Sequence, residues 1–143
     1  MKIKRVYSLY NKYKEIINYL IFGVLTTIIS LLVYYGLTFT VMNPDKPVSL
    51  QIANFISWVA GVIFAYVTNR RYVFNSKNNN IVREVGSFVG ARVVTLVMDM
   101  LIMFVGVTLF GFNDKIFKMI SQVVVIISNY LFSKILVFSD KIV

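Results

Sequence analysis

The polar side chains that interrupt the apolar stretches of this chain are few, and their types limit the chemistry open to it. Asp99 is the one acid inside an apolar run, seven residues after Arg92; Lys118, Asn129 and Lys134 lie along the last apolar run, and Asn69 and Arg70 close an earlier one. With six Asp and Glu in all, and neither Cys nor His, a paired-carboxylate site, a thiolate or imidazole metal site and the usual Cys or His nucleophile pairs are not expected. We therefore expect neither an enzyme nor a bound cofactor. What cations and amides can do is hold an anion: a planar guanidinium grips phosphate with two parallel bonds, and an ammonium attracts it as a point charge. Asn69, Arg70, Arg92 and Lys134 gather toward one membrane face and Lys118 toward the other, a distribution that suits an anionic head group crossing between two basic stations. Plainer readings stand beside this one. Arg92 can snorkel to the head groups, Lys118 can be an interfacial anchor, and Asp99 can be a structural counter-ion whose expected partner is Lys118. Asn129 should bond another helix or line a path, because an unsatisfied amide in lipid is costly.

The elements that must position these groups follow from the composition. The chain has 143 residues, 58% of them hydrophobic, with a net charge of +9 and a mean hydropathy of +0.75, which identifies the bilayer as its solvent. Apolar stretches long enough for a spanning helix of ~20 residues occur at about 16–42, 48–67, 85–110 and 116–137. They are broken by "NPDKP", "NSKNNN" and "GFND", all rich in turn-favouring residues. The expected class is an all-α integral membrane protein, a transmembrane domain over 16–143 with four helices in two tandem hairpins. Residues 1–15 space Val6, Leu9, Tyr10 and Tyr13 among cations and are expected to form an amphipathic interfacial segment. Eleven cations (Lys2, Lys4, Arg5, Lys12, Lys14, Arg70, Arg71, Lys77, Arg83, Lys134, Lys141) fall on one side and Lys46, Lys115 and Lys118 on the other. By the positive-inside rule both termini are cytoplasmic. Topology and anionic lipid account for the basic charge, and nucleic acid is not an expected partner.

The second span ends in "YVTNRRYVF" and the fourth in "YLFSKILVF", pairing Ser57 with Ser121, Tyr66 with Tyr130, Arg70 with Lys134, Val73 with Val137 and Phe74 with Phe138. The first and third spans echo more weakly, "FGVLT" from Phe22 against "FVGAR" from Phe88. A duplicated hairpin is the economical reading; recurrent interfacial anchors at helix ends are the other. Ala53, Ser57, Gly61, Ala65 and Asn69 form a small-residue stripe that marks a helix contact face, used within the bundle or for dimerisation. Gly86 and Gly90 offer a compatible surface on the third span.

"FGVLTT", "AYVTNRRYVF", "FVGAR" and Lys118 followed by "SNYLFSKILVF" resemble, in order and spacing over nearly the whole chain, the GtrA-like family of small four-helix bacterial membrane proteins, and within it the GtcA-type proteins of teichoic acid glycosylation. Tyr72 departs from the Trp common there, though both are interfacial aromatics. The resemblance implies a flippase-like role in the bacterial cytoplasmic membrane. A polyprenyl-phosphate-linked monosaccharide would be moved to the outer leaflet, where membrane glycosyltransferases decorate a cell-surface polymer. It carries over Ala65, Asn69, Val73, Phe74, Phe88, Arg92, Lys118 and Asn129 as functional positions. The polar members would guide the phosphosugar; Val73 and Phe74 would shape the helix end or the prenyl contact. One narrow bundle is a small container for a sugar, so a lipid-open groove or a homo-oligomer is expected. Two other functions compete: a non-transporting partner of a polyprenyl-phosphate glycosyltransferase, and a small-cation exporter, for which Asp99 is the sole membrane carboxylate.

Overall fold

A computed structural model describes residues 2–43 and 45–139, with the side chain of Asp114 outside the description. Pro44 of the first turn and Lys141 of the charge count thus lie outside the described residues. Every regular element among them is helical: α1 Lys2–Thr40, α2 Pro47–Thr68, α3 Ile81–Met103 and α4 Asp114–Phe132. Three of these continue into π-helical turns, π1 Asn69–Val73, π2 Phe104–Leu109 and π3 Ser133–Val137. Four helical stretches are long and apolar enough to cross a membrane. Residues 2–15, expected to form an amphipathic interfacial segment, are helical and run without a break into the first span as part of α1. At ~1.5 Å per residue α1 is far longer than a ~30 Å hydrocarbon core requires.

The helix ends are set by local chemistry. Pro47 opens α2, where its missing N–H costs nothing. The Asn80 side chain accepts the Arg83 N–H at 3.1 Å to start α3, and Asn113 accepts from Lys115 and Ile116 at 3.0 and 3.2 Å to start α4. Gly111, at φ +69°, makes the reversal between α3 and α4.

The chain divides into two compact units, Met1–Asn75 and Ser76–Val143, each an antiparallel helical hairpin. In the first, α2 turns Ala53, Ser57, Gly61, Ala65 and Thr68 inward. A Cβ on Gly61 would collide with the Ser30 hydroxyl of α1, so the small-residue stripe is used within its own hairpin. At the open end Phe22 stacks on Tyr72 with centroids 5.3 Å apart, and Tyr19 meets Phe74 at 6.5 Å. In the second unit Phe88 meets Phe138 at 6.0 Å with the same 55° tilt as Tyr19 and Phe74, and Phe117 lies where a Cβ on Gly106 would be. Gly86 and Gly90 have nothing within 4 Å of a built Cβ. They are no contact surface in this hairpin, because the face of α3 turned to α4 is that of Glu84, Phe88 and Thr95.

These contacts correct the register of the repeat. Phe74 and Phe138, 64 residues apart, are equivalent by position in π1 and π3, so the rings they meet, Tyr19 and Phe88, are equivalent too, 69 residues apart. That pairing sets Thr26 opposite Thr95 and Ser30 opposite Asp99, in place of Phe22 with Phe88. Of the five-residue difference, two residues lie in the connection between α1 and α2 and three in the longer second helix. Leu32, Ile63, Met100 and Ile127 are among the large apolar side chains left exposed, as expected of helices whose outer faces meet lipid rather than water.

Candidate functional site

In the first unit the predicted residues cluster at π1. Asn69 is 3% exposed, and its carbonyl accepts the Phe74 N–H at 2.9 Å, the five-residue step of a π-helix. The wider turn carries Val73 inward, where Ala65 is buried too, and sets Phe74 against Tyr19. Arg70 is half-buried there, and Arg71 lies over the Tyr72 ring at 5.5 Å. Carbonyl and side chain of Asn69 are thus held at a helix end that departs from α geometry, a departure frequent at functional sites.

In the second unit Phe88, Arg92, Thr95 and Asp99 follow one another at helical spacing along α3, covering ~16 Å of its axis. Arg92 sits with its guanidinium 4.9 Å from the Phe88 centroid, and Phe88 is backed by Phe138 of the repeated Val-Phe end. The ring is a platform that places the cation. One turn further Thr95 donates to Asn129 at 2.8 Å, both side chains buried. Asn129 therefore bonds across to α3, as an amide in this setting requires. Lys134 stands on π3 with its ammonium 3.4 Å from the Tyr130 hydroxyl; the Phe138 N–H bonds Ser133 at 2.9 Å, repeating π1.

Toward the turn end, Lys118 reaches Asp99 at 2.6 Å, the pairing expected from sequence. The same carboxylate accepts the Ser121 hydroxyl at 2.5 Å and faces the Gln122 amide at 3.5 Å. Three donors on one face of α4 thus converge on a single acid of α3. A groove of about 550 Å³ opens beside them, with Lys115, Lys118 and Gln122 as its polar wall and Met103, Met119 and Ile126 as its apolar one.

Thr95 and Gln122 are not singled out in the sequence and Ser121 only as a repeat partner, although each lies three or four residues from a residue already singled out, on the same helical face. Nor is Glu84 singled out. It is buried in the first turn of α3 and accepts from Ser76 at 2.7 Å, where the helix N-terminus favours a negative charge.

The sequence of these four membrane-length helices was compared with known proteins. The family described as "GtrA/DPMS, transmembrane domain" matches residues 18–138. The "Cell wall teichoic acid glycosylation protein GtcA" of Listeria innocua is 40% identical over 130 residues, 89% of this chain and 86% of that protein. Its namesake in Listeria monocytogenes is 39% identical over the same shares. The "Uncharacterized membrane protein YwcD" of Bacillus subtilis is 35% identical over 123 residues, 84% of this chain and 93% of that protein. No solved structure matches. The match over almost all of the four-helix region, together with the spans themselves, makes the chain a multi-pass bacterial membrane protein and a member of the GtrA/DPMS transmembrane-domain family.

Proposed function

We propose that this protein serves glycosylation of a cell-wall polymer by carrying a polyprenyl-phosphate-linked sugar across the cytoplasmic membrane, with both chain termini inside. The teichoic acid glycosylation named for the Listeria relatives supports the setting. The observation that carries the transport step is the polar seam of the second unit: Arg92 seated on Phe88, the Thr95–Asn129 bond, then Asp99 with Lys118. Fixed hydrogen-bonding groups with a cation toward each end form a ladder for a phosphate head group, while the prenyl tail stays among the exposed apolar side chains. Asn69, Arg70 and Lys134 receive the sugar phosphate at the cytoplasmic ends of their hairpins. The protein binds and releases; the glycosyl bond is made by membrane glycosyltransferases on the outer side. A cation exporter is disfavoured because Asp99, its one candidate acid, is already engaged by Lys118 and Ser121.

The test is protection of a labelled polyprenyl-phosphate sugar in proteoliposomes containing this protein alone. Transbilayer movement is expected with the natural chain, falling about tenfold or more in Arg92→Ala and less in Arg92→Lys, which keeps charge but not the planar fork. No movement by folded natural protein sinks the transport reading in favour of a non-transporting glycosyltransferase partner. In that reading the ends Asn69–Val73 and Ser133–Val137 are docking surfaces.

A further inference from the structure

We propose that Asp99 is a displaceable internal stand-in for phosphate: it occupies Lys118, Ser121 and Gln122 in the empty protein and yields Lys118 to a prenyl phosphate arriving in the adjoining groove. The proposal rests on the transport reading above and assigns the groove as the seat where the lipid phosphate is exchanged before release.

An ammonium, a hydroxyl and an amide, all donors, point at one carboxylate from positions i, i+3 and i+4 of α4. Such a donor set also suits the oxygens of a phosphate. Ser121 is fully buried and holds the acid in place, but the Lys118 side chain is 48% exposed while Asp99 is only 17% exposed. Of the ion pair the lysine is the member free to swing, while exposed Gln122 only faces the acid. The groove the lysine lines adds a second ammonium from Lys115 and an apolar wall from Met103, Met119 and Ile126. Cations beside methionine and isoleucine match a phosphate attached to an isoprenoid tail better than a free phosphate. The first unit makes the contrast. Its groove near the turn, lined by Pro47, Val48, Gln51, Ile52 and Phe55, has no cation among its described lining residues, and Ser30 stands where Asp99 does in the repeat.

A station on a transport path must bind well enough to capture and weakly enough to let go. Asp99 supplies the second requirement, because every phosphate that takes Lys118 must first displace a bound carboxylate, and the carboxylate recaptures the lysine as the phosphate departs.

The experiment measures farnesyl phosphate and inorganic phosphate binding by calorimetry on the full-length protein in detergent, alongside lipid movement in proteoliposomes. With Asp99→Asn, farnesyl phosphate is expected to bind about three- to tenfold more tightly and the labelled sugar lipid to move more slowly. Asp99→Glu keeps the competing charge and should bind as the natural protein does, and Lys118→Gln should lose the binding. Unchanged or weaker binding by folded Asp99→Asn overturns the proposal, as does its loss in both Asp99 variants, the mark of a merely structural ion pair. Equal affinity for inorganic phosphate overturns the assignment to a lipid. If transport persists with no farnesyl phosphate binding, this proposal fails and the transport reading survives. Tightened binding in Asp99→Asn with no lipid movement by any form leaves the exchange seat standing and fells the transport reading.

Discussion

Arg92 and Asn129 show how a single neighbour decides what a polar side chain in a membrane helix is for. Arg92 has Phe88 as a platform, and such a contact is worth ~0.5–2 kcal/mol depending on desolvation. Phe88→Leu keeps an apolar filler against Phe138 but removes the ring face. Lipid movement in proteoliposomes is therefore expected to fall severalfold through loss of Arg92 placement, with protein yield and helicity largely retained. Asn129 has Thr95, and the pair is buried. Thr95→Val removes the donor at nearly constant shape and leaves the amide oxygen without it. Membrane double-mutant cycles average ~0.6 kcal/mol for such bonds, with a maximum of ~1.7. Reversible unfolding in micelles should show Thr95→Val destabilising and Thr95→Val/Asn129→Ala less so than the two single losses combined. Two additive losses would mean that the bond contributes nothing. The first unit has the smaller residues Thr26 and Ala65 at the equivalent positions, which is why the double variant is expected to pack.

Each hairpin is held by close backbone approach and by aromatic contacts at its open end, and glycines report where that approach is tightest. Gly61 faces the Ser30 hydroxyl and Gly106 faces the Phe117 ring, whereas Gly86 and Gly90 face open space. Gly61→Ala should cost ~1–3 kcal/mol by overpacking, and Ser30→Gly in the same chain should relieve most of it. Gly90→Ala should be neutral or stabilising, since alanine is the better helix former. Equal losses at 61 and 90, measured by thermal unfolding in one detergent, would contradict the packing described. Helix number and the repeated Tyr-cation-Val-Phe ends were legible in sequence because hydrophobic length and turn residues report them directly. So was the Asp99–Lys118 pair, because an acid in lipid demands a partner. The register of the first and third helices was not. "FGVLT" and "FVGAR" match by letter, but packing pairs Tyr19 with Phe88 by the ring each meets, a relation that linear similarity does not encode. Nor were the π-helical turns. A five-residue hydrogen-bond step has no distinctive residue pattern, so the echo pairs Asn69 with Ser133 without showing that each carbonyl accepts from the Phe five residues on.

At the scale of the whole molecule, the two hairpins share architecture but divide the polar groups unequally. By the corrected register the second unit has Arg92 where the first has Gly23, Asp99 where it has Ser30, and Asn129 where it has Ala65. The two hairpins share a scaffold, and the polar groups proposed to carry the lipid phosphate through the membrane interior belong to the second. This division gives the orientation its consequence, because Arg92 and Lys118 serve entry and release only if the α3–α4 turn faces outward. The positive-inside rule predicts that orientation, and the absence of cysteine from the sequence allows a direct test. Asn79 and Phe112 are both exposed, one in the connection between the units and one in the α3–α4 turn. In intact cells a membrane-impermeant maleimide should label Phe112→Cys and leave Asn79→Cys unmodified until the membrane is permeabilised. The reverse pattern would place Lys118 on the cytoplasmic side, making the Asp99 exchange an entry step and Arg92 the group nearer to release.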